Sequence, residues 1–380
     1  MWEINPLSVL CDVLDSRRKP ITKKDRSPGP YPYYGATGIL DYVEGYLFDE
    51  KLVLIGEDGA KWGAGDNSAF SIDGKTWVNN HAHVIRPKRN KVLDKWLIYY
   101  LNGEDLSDFI TGMTVPKLNQ GKLREIPIPL PPIPEQQRIV AILDQAFADI
   151  ENARANAEKN LKNARELFDS YLNQVFSQRG EGWVETTLSK ACSFSQGMQV
   201  GVKNQFDNDS KNRIRFLRIV DFTQGDHEPR YIDFPGDRYS VLEGDVSLVR
   251  YGASAGFVCT GLMGVIANNL FKVSPRSEAF TTKYLYYFLC STVFQAPIQR
   301  VIGGAAMPAL SFGMINDLDF SYPDIADQIR IINKIEKLSQ KIKALETIYS
   351  KKLSELETLK KSLLQKAFSG ELTKSKGMAA

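Results

Sequence analysis

An internal duplication limits the possible folds of this chain more than any other feature. Residues 2–11 match residues 183–192 in the pattern W-x4-L-S-x-x-C, at an offset of 181 residues. Residues 80–87 align with residues 268–275 at an offset of 188, and from Gly112 onward the offset is 192 for more than 60 residues. Because chance similarity would not hold one register for so long, we interpret the chain as two copies of one unit.

The last part of each copy has the same length, whereas the insertions fall in the first part. Residues 134–177 and 326–369 have no internal glycine or proline, and their apolar positions alternate at spacings of three and four. This pattern predicts two long helices that form a coiled coil. The predicted seam includes Ile139, Leu143, Ile150 and Leu167 in the first helix, and Ile331, Ile335, Leu338, Ile342, Leu345 and Leu356 in the second.

The two seams differ in side-chain volume. The first contains mostly alanine and the second mostly leucine and tyrosine, so we expect the helices to pack against each other rather than against copies of themselves. Asn160 and Lys352 interrupt the seams at equivalent places and are expected to fix the register. If the ends of the second globular part lie close together, the second helix runs antiparallel to the first. A helix of this length spans roughly 66 Å.

The globular part of each copy has mixed α and β character. Residues 51–56 and 245–250 resemble strands that lead into glycine-rich turns. Residues 95–101 and 283–289 resemble short buried helices whose aromatic side chains belong to the core. We therefore predict an α+β fold, with two mixed α/β domains separated by two long antiparallel coiled-coil helices in a pseudo-twofold repeat. The predicted segments are 1–130 (first domain), 131–182 (first helix), 183–323 (second domain), 324–370 (second helix) and 371–380 (tail).

Composition excludes several classes of protein. The four cysteines are scattered without a CxxC pair, which argues against a disulfide framework or a zinc site and favours a reducing cytoplasm. The N-terminus has no signal pattern, and no apolar run is long enough to cross a membrane. The net charge of +3 is weak evidence about partners. If DNA is bound, the basic residues must be gathered on one face.

No catalytic constellation is visible in the sequence. His81 and His83 form an HxH pair, but the aligned residues Asn269 and Phe271 are not metal ligands, so we favour a structural or polar-contact role for the histidines. The glycine-rich segments lack the Lys-Ser/Thr pair of a phosphate-binding loop, and no G-x-S-x-G motif is present. We expect no metal, no cofactor and no catalysis by this chain alone.

These features together resemble the specificity subunits of type I restriction-modification systems. The resemblance covers essentially the whole chain and includes the W-x4-L motifs at Trp2 and Trp183. Its most specific motif is I-P-L-P-P-I-P-E-Q-Q-R-I over residues 128–139, which has a weaker copy over residues 320–331. The segments Gly112 to Leu118 and 304–310, and the closing Q-K-A-F-S-G-E-L over residues 365–372, also carry the resemblance.

The resemblance implies a protein that recognises DNA and has no catalytic activity of its own. Each domain would read one half of a bipartite site in double-stranded DNA, and the helical pair would set the gap between the halves. Two methylation subunits, which use S-adenosylmethionine, and ATP-dependent restriction subunits would be its partners. The alternative from the residues alone is a coiled-coil scaffold that joins two protein-binding modules.

The candidate DNA contacts are a group of basic residues gathered in the first domain, their counterparts in the second domain, and two loops at the expected DNA face. A solvated surface charge remains an equal alternative for each basic residue. The loops are residues 112–114 and 303–305. The basic residues are Arg17, Arg18, Lys19, Lys23, Lys24 and Arg26 in the first domain, and Lys203, Lys211, Arg213, Arg215 and Arg218 in the second.

Overall fold

A computed structural model describes residues 2–178, 180–225, 227–303 and 308–373. The chain divides into two compact units, and each long helix contributes to both. One unit comprises Met1–Glu158 together with Tyr349–Ala380, and the other comprises Lys159–Ile348. We call the globular part before the first long helix the first module (residues 2–130) and that between the helices the second module (residues 183–323).

The first module and the helix that follows it contain twelve strands and four helices. They are β1 (Glu3–Pro6), α1 (Leu7–Leu10), β2 (Cys11–Val13), β3 (Pro28–Gly35), β4 (Gly38–Val43), β5 (Phe48–Asp49), β6 (Leu52–Gly56), β7 (Ala69–Ile72), β8 (Lys75–Val78), β9 (Ala82–Pro87), α2 (Asp94–Gly103), β10 (Ile110–Thr111), β11 (Lys117–Leu118), α3 (Gln120–Glu125), β12 (Pro127–Leu130) and α4 (Ile133–Ser177).

The second module and the final helix have a similar order of elements among the described residues, with two additional helices. The elements are β13 (Val184–Thr187), α5 (Leu188–Ala191), β14 (Cys192–Gln196), β15 (Arg213–Leu217), α6 (Ile219–Thr223), β16 (Arg230–Asp233), β17 (Ser240–Val241), β18 (Val246–Val249), β19 (Val258–Cys259), β20 (Gly264–Ile266), β21 (Leu270–Pro275), α7 (Thr282–Cys290), α8 (Thr292–Ile302), α9 (Phe312–Asn316), β22 (Asp319–Tyr322) and α10 (Ile325–Phe368).

The duplication predicted from the sequence extends to the sheet topology. The strand orders β2-β9-β6-β7 and β4-β3-β8-β5 of the first module recur as β14-β21-β18-β19 and β16-β15-β20-β17 in the second. Each module has one parallel pair, β3 with β8 and β15 with β20, at equivalent places. In both modules the strand before the long helix pairs with the first strand of the module.

Burial explains which segments form the central strands and the short helices. β6 is a continuous apolar run and β18 is apolar except for Ser247, and both strands are buried along their whole length, as expected for strands covered on both faces. The aromatic residues Trp96 on α2 and Tyr284 on α7 are completely buried, which confirms that they belong to the core. A helix without a counterpart in the first module, α8, follows α7 directly and lies where the offset changes from 188 to 192.

The core of the first compact unit joins the first module to parts of both long helices. Ile139 and Leu143 of α4, and Leu364 and Ala367 of α10, lie in one buried cluster with Trp96. The ring of Phe368, at the end of α10, contacts the ring of Trp96 at a centroid distance of 4.8 Å. The first module is therefore held by the beginning of α4 and the end of α10.

The core of the second compact unit repeats this arrangement with the helices exchanged. Leu172 and Phe176 from the end of α4, and Ile332 and Ile335 from the beginning of α10, lie in one buried cluster with Tyr284. The rings of Phe176 and Tyr284 are 5.3 Å apart between centroids. Phe176 and Phe368 are equivalent residues of the two copies, so the same aromatic contact closes each unit.

The long helices run antiparallel, as predicted. In the first unit Arg154 forms an ion pair with Glu357 at 3.2 Å, and Lys360 lies over the ring of Phe147, 5.6 Å from its centroid. The helices contact through another ion pair in the second unit, between Arg165 and Glu346 at 2.7 Å. Among the predicted seam residues, Ile139, Leu143, Ile150, Ile335 and Ile342 are buried, and Ile331, Leu338 and Leu356 are partly buried.

Two predicted seam positions are wrong. Leu167 is 57% exposed and Leu345 is 37% exposed, whereas Phe168 packs against the core of the second unit. A strict heptad drifts by about 20° per repeat relative to a straight α-helix. From Ile139 to Leu167 this amounts to about 80°, close to the 100° between neighbouring residues, so the buried position moves to the next residue.

A buried glutamine fixes the start of each long helix to its module. Oε1 of Gln136 accepts the backbone N–H of Leu93 at 2.9 Å, and Nε2 donates to the carbonyls of Lys91 and Pro131, both at 2.8 Å. Since the side chain is completely buried, all three hydrogen bonds are shielded from water. They join α4, the loop before α2 and the extended proline segment.

The second copy repeats the glutamine contact residue for residue. Gln328 accepts from the N–H of Thr281 at 2.9 Å and donates to the carbonyls of Ala279 and Pro323 at 2.9 and 2.8 Å. At the start of this helix the side chain of Asp324 accepts the N–H of Asp327 at 2.8 Å. The glutamine of the P-x-x-x-E/D-Q motif is thus a joint between module and helix, and we call it the glutamine joint.

We predict that Gln136→Leu lowers the free energy of unfolding by about 3 kcal/mol, because three buried backbone groups lose their partners. Gln137→Ala is the matched control, since the neighbouring glutamine is exposed. The measurement is urea unfolding of the full chain followed by tryptophan fluorescence. Equal stability of the two variants would contradict the structural role of the joint.

Candidate nucleic-acid interface

The basic residues predicted as DNA contacts in the first module divide into exposed lysines and engaged arginines. Lys19, Lys23 and Lys24 are exposed, and no carboxylate lies within 4 Å of their amino groups in the described part of the chain. Arg17 forms an ion pair with Glu50 at 3.3 Å. The lysines are available for phosphate contacts, whereas Arg17 is held within the module.

Two further arginines of this cluster have internal partners. Arg26 donates to Asp41 at 3.0 Å and lies over the ring of Tyr33, 4.4 Å from its centroid. Arg18 is the most enclosed of the set and donates to Glu57 at 2.5 Å and to the carbonyl of Ala82 at 2.8 Å. These contacts order the 15–26 segment on the sheet.

Arg18 belongs to a buried group of charged side chains that the sequence did not reveal. Nδ1 of His83 lies 2.6 Å from Oδ2 of Asp15, and Nε2 lies 2.6 Å from the carbonyl oxygen of Leu118. Glu57 accepts from Arg18 and forms an ion pair with Lys117 at 2.8 Å. We call Asp15, Arg18, Glu57, His83 and Lys117 the buried charge cluster.

The surroundings keep both carboxyl groups of the cluster ionised. Burial raises the pKa of Asp15, but hydrogen bonds from His83, the Val84 N–H and Gln120 outweigh it, and the net pKa lies below its usual value of 3.8. Burial likewise raises the pKa of Glu57, while Lys117 and Arg18 lower it to below 4.5 overall. Since these pKa values are lowered by folding, the carboxylates stabilise the module above about pH 4.5, and this contribution is lost as the pH falls.

Both ring nitrogens of His83 have a hydrogen-bond partner within the module, the Asp15 carboxylate and the Leu118 carbonyl. Ligand atoms of Asp15, Glu57 and His83 lie within 4.8 Å of one another. The two carboxylates are also engaged by Arg18 and Lys117, so these side chains satisfy one another within the cluster. His81 contacts Asp58 at 2.5 Å, so both histidines make the polar contacts predicted for them.

The cluster fixes the base of the loop between β10 and β11. The Leu118 N–H donates to the Glu57 carbonyl at 2.8 Å, and Lys117 reaches Glu57 from the same short strand. At the other end Gly112 has φ of +89°, and a Cβ there would lie 2.4 Å from the Val115 carbonyl oxygen, so glycine is required. The predicted loop 112–114 therefore projects from an anchored hairpin, with the side chain of Met113 fully exposed.

The basic residues predicted in the second module show the same division. Lys203 and Lys211 are exposed and have no carboxylate within 4 Å among the residues that the structure describes. Arg213 stacks on Phe206, with 3.5 Å to the ring centroid. Arg215 and Arg218 share the buried carboxylate of Asp221, at 3.4 and 3.0 Å.

Several sequence predictions about DNA contact stay predictions. Of the loop 303–305, only Gly303 lies within the described residues. The arginines of both modules have internal partners, so the exposed lysines are the members of the predicted set that are free to meet phosphate. Sequence spacing alone could not separate the two groups, because the carboxylates that engage the arginines come from distant strands.

We predict that His83→Phe, which introduces the residue found at the equivalent position 271, lowers the free energy of unfolding of the first module by about 3 kcal/mol. The substitution leaves buried charges without their partner. The matched control is His81→Asn, which introduces the equivalent residue Asn269 at an exposed site and is expected to change stability by less than about 0.5 kcal/mol. Urea unfolding followed by tryptophan fluorescence reports mainly the first module, which contains four of the five tryptophans. A stable H83F variant would contradict the role assigned to the cluster.

Comparison with known proteins finds similar chains and a matching domain model. Residues 1–159 match the family model of the type I restriction modification DNA specificity domain. A protein of Haemophilus influenzae assigned as a type I restriction enzyme specificity subunit is 40% identical over 146 residues, which cover 38% of this chain and 37% of that relative. The EcoBI specificity subunit of Escherichia coli is 23% identical, over 87% of this chain and 75% of the relative. The MjaVIII specificity subunit of Methanocaldococcus jannaschii is 19% identical, over 98% of this chain and 93% of the relative.

Solved structures share the fold over the whole chain. A chain from a structural study of the assembly and conformational transition of a type I restriction-modification system superposes with a TM-score of 0.76, at 20% identity and 98% coverage of both chains. The HsdS subunit of Thermoanaerobacter tengcongensis superposes with a TM-score of 0.55, at 19% identity, covering 98% of this chain and 97% of that one. Residues 1–159 therefore match the DNA specificity domain of type I restriction-modification systems, and the duplicated modules with their paired long helices share the fold of these solved chains.

Proposed function

We propose that this protein recognises a bipartite site in double-stranded DNA, with one half read by each module and the gap set by α4 and α10. The observation that carries the proposal is that the two modules share one topology but differ in the residues at equivalent positions. His83, Lys117 and Glu57 of the first module correspond to Phe271, Ala309 and Arg250 of the second. One scaffold with two different sets of side chains fits two different half-sites.

The exposed lysines supply the contacts that do not depend on the DNA sequence. Lys19, Lys23 and Lys24 of the first module, and Lys203 and Lys211 of the second, meet phosphates and fix each module on the duplex. Base recognition then falls to side chains and loops that are held rigidly by the module. The loop 112–114 is one such element, because the buried charge cluster anchors its base.

The helices set the gap between the DNA half-sites. They suit this role because the helical segment has the same length in both copies, whereas the modules differ by insertions. The glutamine joint fixes the start of each helix to its module, and the Phe176 and Phe368 contacts fix the ends. A change in helix length is therefore transmitted to the modules instead of being absorbed by flexible linkers.

The partners we propose are the methylation and restriction subunits of the same system, with two methylation subunits for one copy of this chain. The surfaces of α4 and α10 away from the seam are long, polar and exposed, and they offer the docking sites. In the described part of the chain, no helix is long and apolar enough to cross a membrane. The site of action we propose is the cytoplasm, where the DNA and these partners meet.

Lengthening both helices tests the proposal. Four residues inserted after Glu158 and before Tyr349 add about 6 Å to each helix, which corresponds to one to two base pairs. We expect the complex with the methylation subunits to modify the same two half-sites, with the gap enlarged by one or two base pairs. The measurement is mapping of methylated positions in a DNA library.

The control for this experiment inserts the same four residues at Gly74, in the exposed turn between β7 and β8. This insertion is expected to leave the gap unchanged. If the helix variant recognised altered half-sites but kept the original gap between them, the spacing role would be contradicted. A site without two separated halves in the unaltered complex would contradict the proposed function and favour a scaffold instead.

A further inference from the structure

Arg250 occupies, in the second module, the position that Glu57 occupies in the first. Each residue directly follows a central buried strand, β18 or β6. The carbonyl of Glu57 accepts the N–H of Leu118 at 2.8 Å, and that of Arg250 accepts the N–H of the equivalent Leu310 at 2.7 Å. The charge at this position is therefore reversed between the modules.

The surroundings of the two residues have changed together. Glu57 is neutralised by Arg18 and Lys117 within the buried charge cluster. Around Arg250 the corresponding charges are gone, because Phe271 stands in place of His83 and Ala309 in place of Lys117. The second module has no buried carboxylate at this position, so Arg250 is not needed to neutralise one.

Aromatic rings hold the guanidinium of Arg250. Its Cζ lies 4.9 Å from the ring centroid of Tyr251 and 5.8 Å from that of Phe312. The side chain is partly exposed, and no carboxylate lies within 4 Å of it among the described residues.

A stacked guanidinium keeps the hydrogen-bonding edge of its plane free. That edge presents a rigid pair of N–H donors, which matches the O6 and N7 acceptors of guanine in the major groove. The Gly252 N–H donates to the Pro308 carbonyl at 3.0 Å, which joins the segment after Arg250 to the residues that precede Leu310. The backbone of Arg250 is fixed on its other side by a hydrogen bond from its N–H to the Asn269 carbonyl at 2.8 Å.

Asn269 adds a second polar group at this place. Residues 250 and 269 lie just beyond the paired strands β18 and β21, and their backbones are joined by the hydrogen bond given above. The side-chain Oδ1 of Asn269 is buried and has no hydrogen-bond partner among the described residues. Asn269 therefore places an unsatisfied polar atom on the residue that bonds the backbone of Arg250.

We propose that Arg250 reads a guanine in the half-site bound by the second module. This inference rests on the proposed function. The first module has no corresponding contact, since its residue at this position is the neutralised Glu57. Arg250 therefore contributes to the difference between the two half-sites.

The test uses the full chain in complex with its methylation subunits and a DNA library in which each position of the mapped site is varied. With Arg250→Ala, we expect one guanine of one half-site to become degenerate while the other half stays unchanged. Affinity for the original site is expected to fall roughly 5- to 150-fold. Arg250→Lys keeps the charge but not the paired donors, so it is expected to discriminate at this base less well than the unaltered protein.

Arg238→Ala is the matched control, because Arg238 also lies over a tyrosine, 5.3 Å from the ring centroid of Tyr239, but is exposed on a short turn. It is expected to leave the recognised bases unchanged. If R250A lost the same affinity for all library members, Arg250 would be assigned to a phosphate contact and the inference would be overturned. If the recognised bases were unchanged in either Arg250 variant, the inference would also be overturned. Thermal unfolding of R250A and R250K shows whether either variant fails to fold. If R250A does not fold, the bases recognised by R250K test the inference. A library that shows no bipartite site for the unaltered complex would instead overturn the proposed function and the inference with it.

Discussion

The glutamine joint is the interaction on which the arrangement of each compact unit depends. Gln136 and Gln328 are each buried without exposure to water, and each satisfies one backbone donor and two backbone acceptors from separate segments. A buried amide in this position fixes direction as well as distance, because each of its hydrogen bonds has a required geometry. The aromatic contacts of Phe368 and Phe176 then hold the opposite helix against the same module. In this way each module is held by the beginning of one helix and the end of the other.

The sequence was sufficient to predict the duplication, the two long helices, the antiparallel pairing and the buried short helices. These features depend on repeated spacing and on apolar periodicity, both of which can be read directly from the amino-acid sequence. The exposed Leu167 marks the limit of that reasoning, because a heptad pattern does not show how far the seam has rotated after four repeats. The glutamine joint was visible only as a motif, and its physical role required the three backbone partners in space.

The candidate site was harder to predict because its residues are paired across strands. Arg18 stands in a run of basic residues, and only the fold shows that Glu57 and Asp15 surround it. Arg250 was not predicted, since insertions displace it from the offset at which the flanking segments align. Its equivalence to Glu57 follows from strand ends and backbone hydrogen bonds. The two modules are distinguished by changes of charge at equivalent positions. The net charge of +3 for the whole chain does not show these changes.

The central claim is that two related but different modules read two separate pieces of one DNA site at a fixed distance. It is tested most directly by mapping the positions methylated by the unaltered complex of this chain with its methylation subunits. The account predicts one motif with two specific halves of different sequence, separated by a gap of constant length and unspecified bases. A continuous motif, two identical halves or a gap of variable length would contradict it.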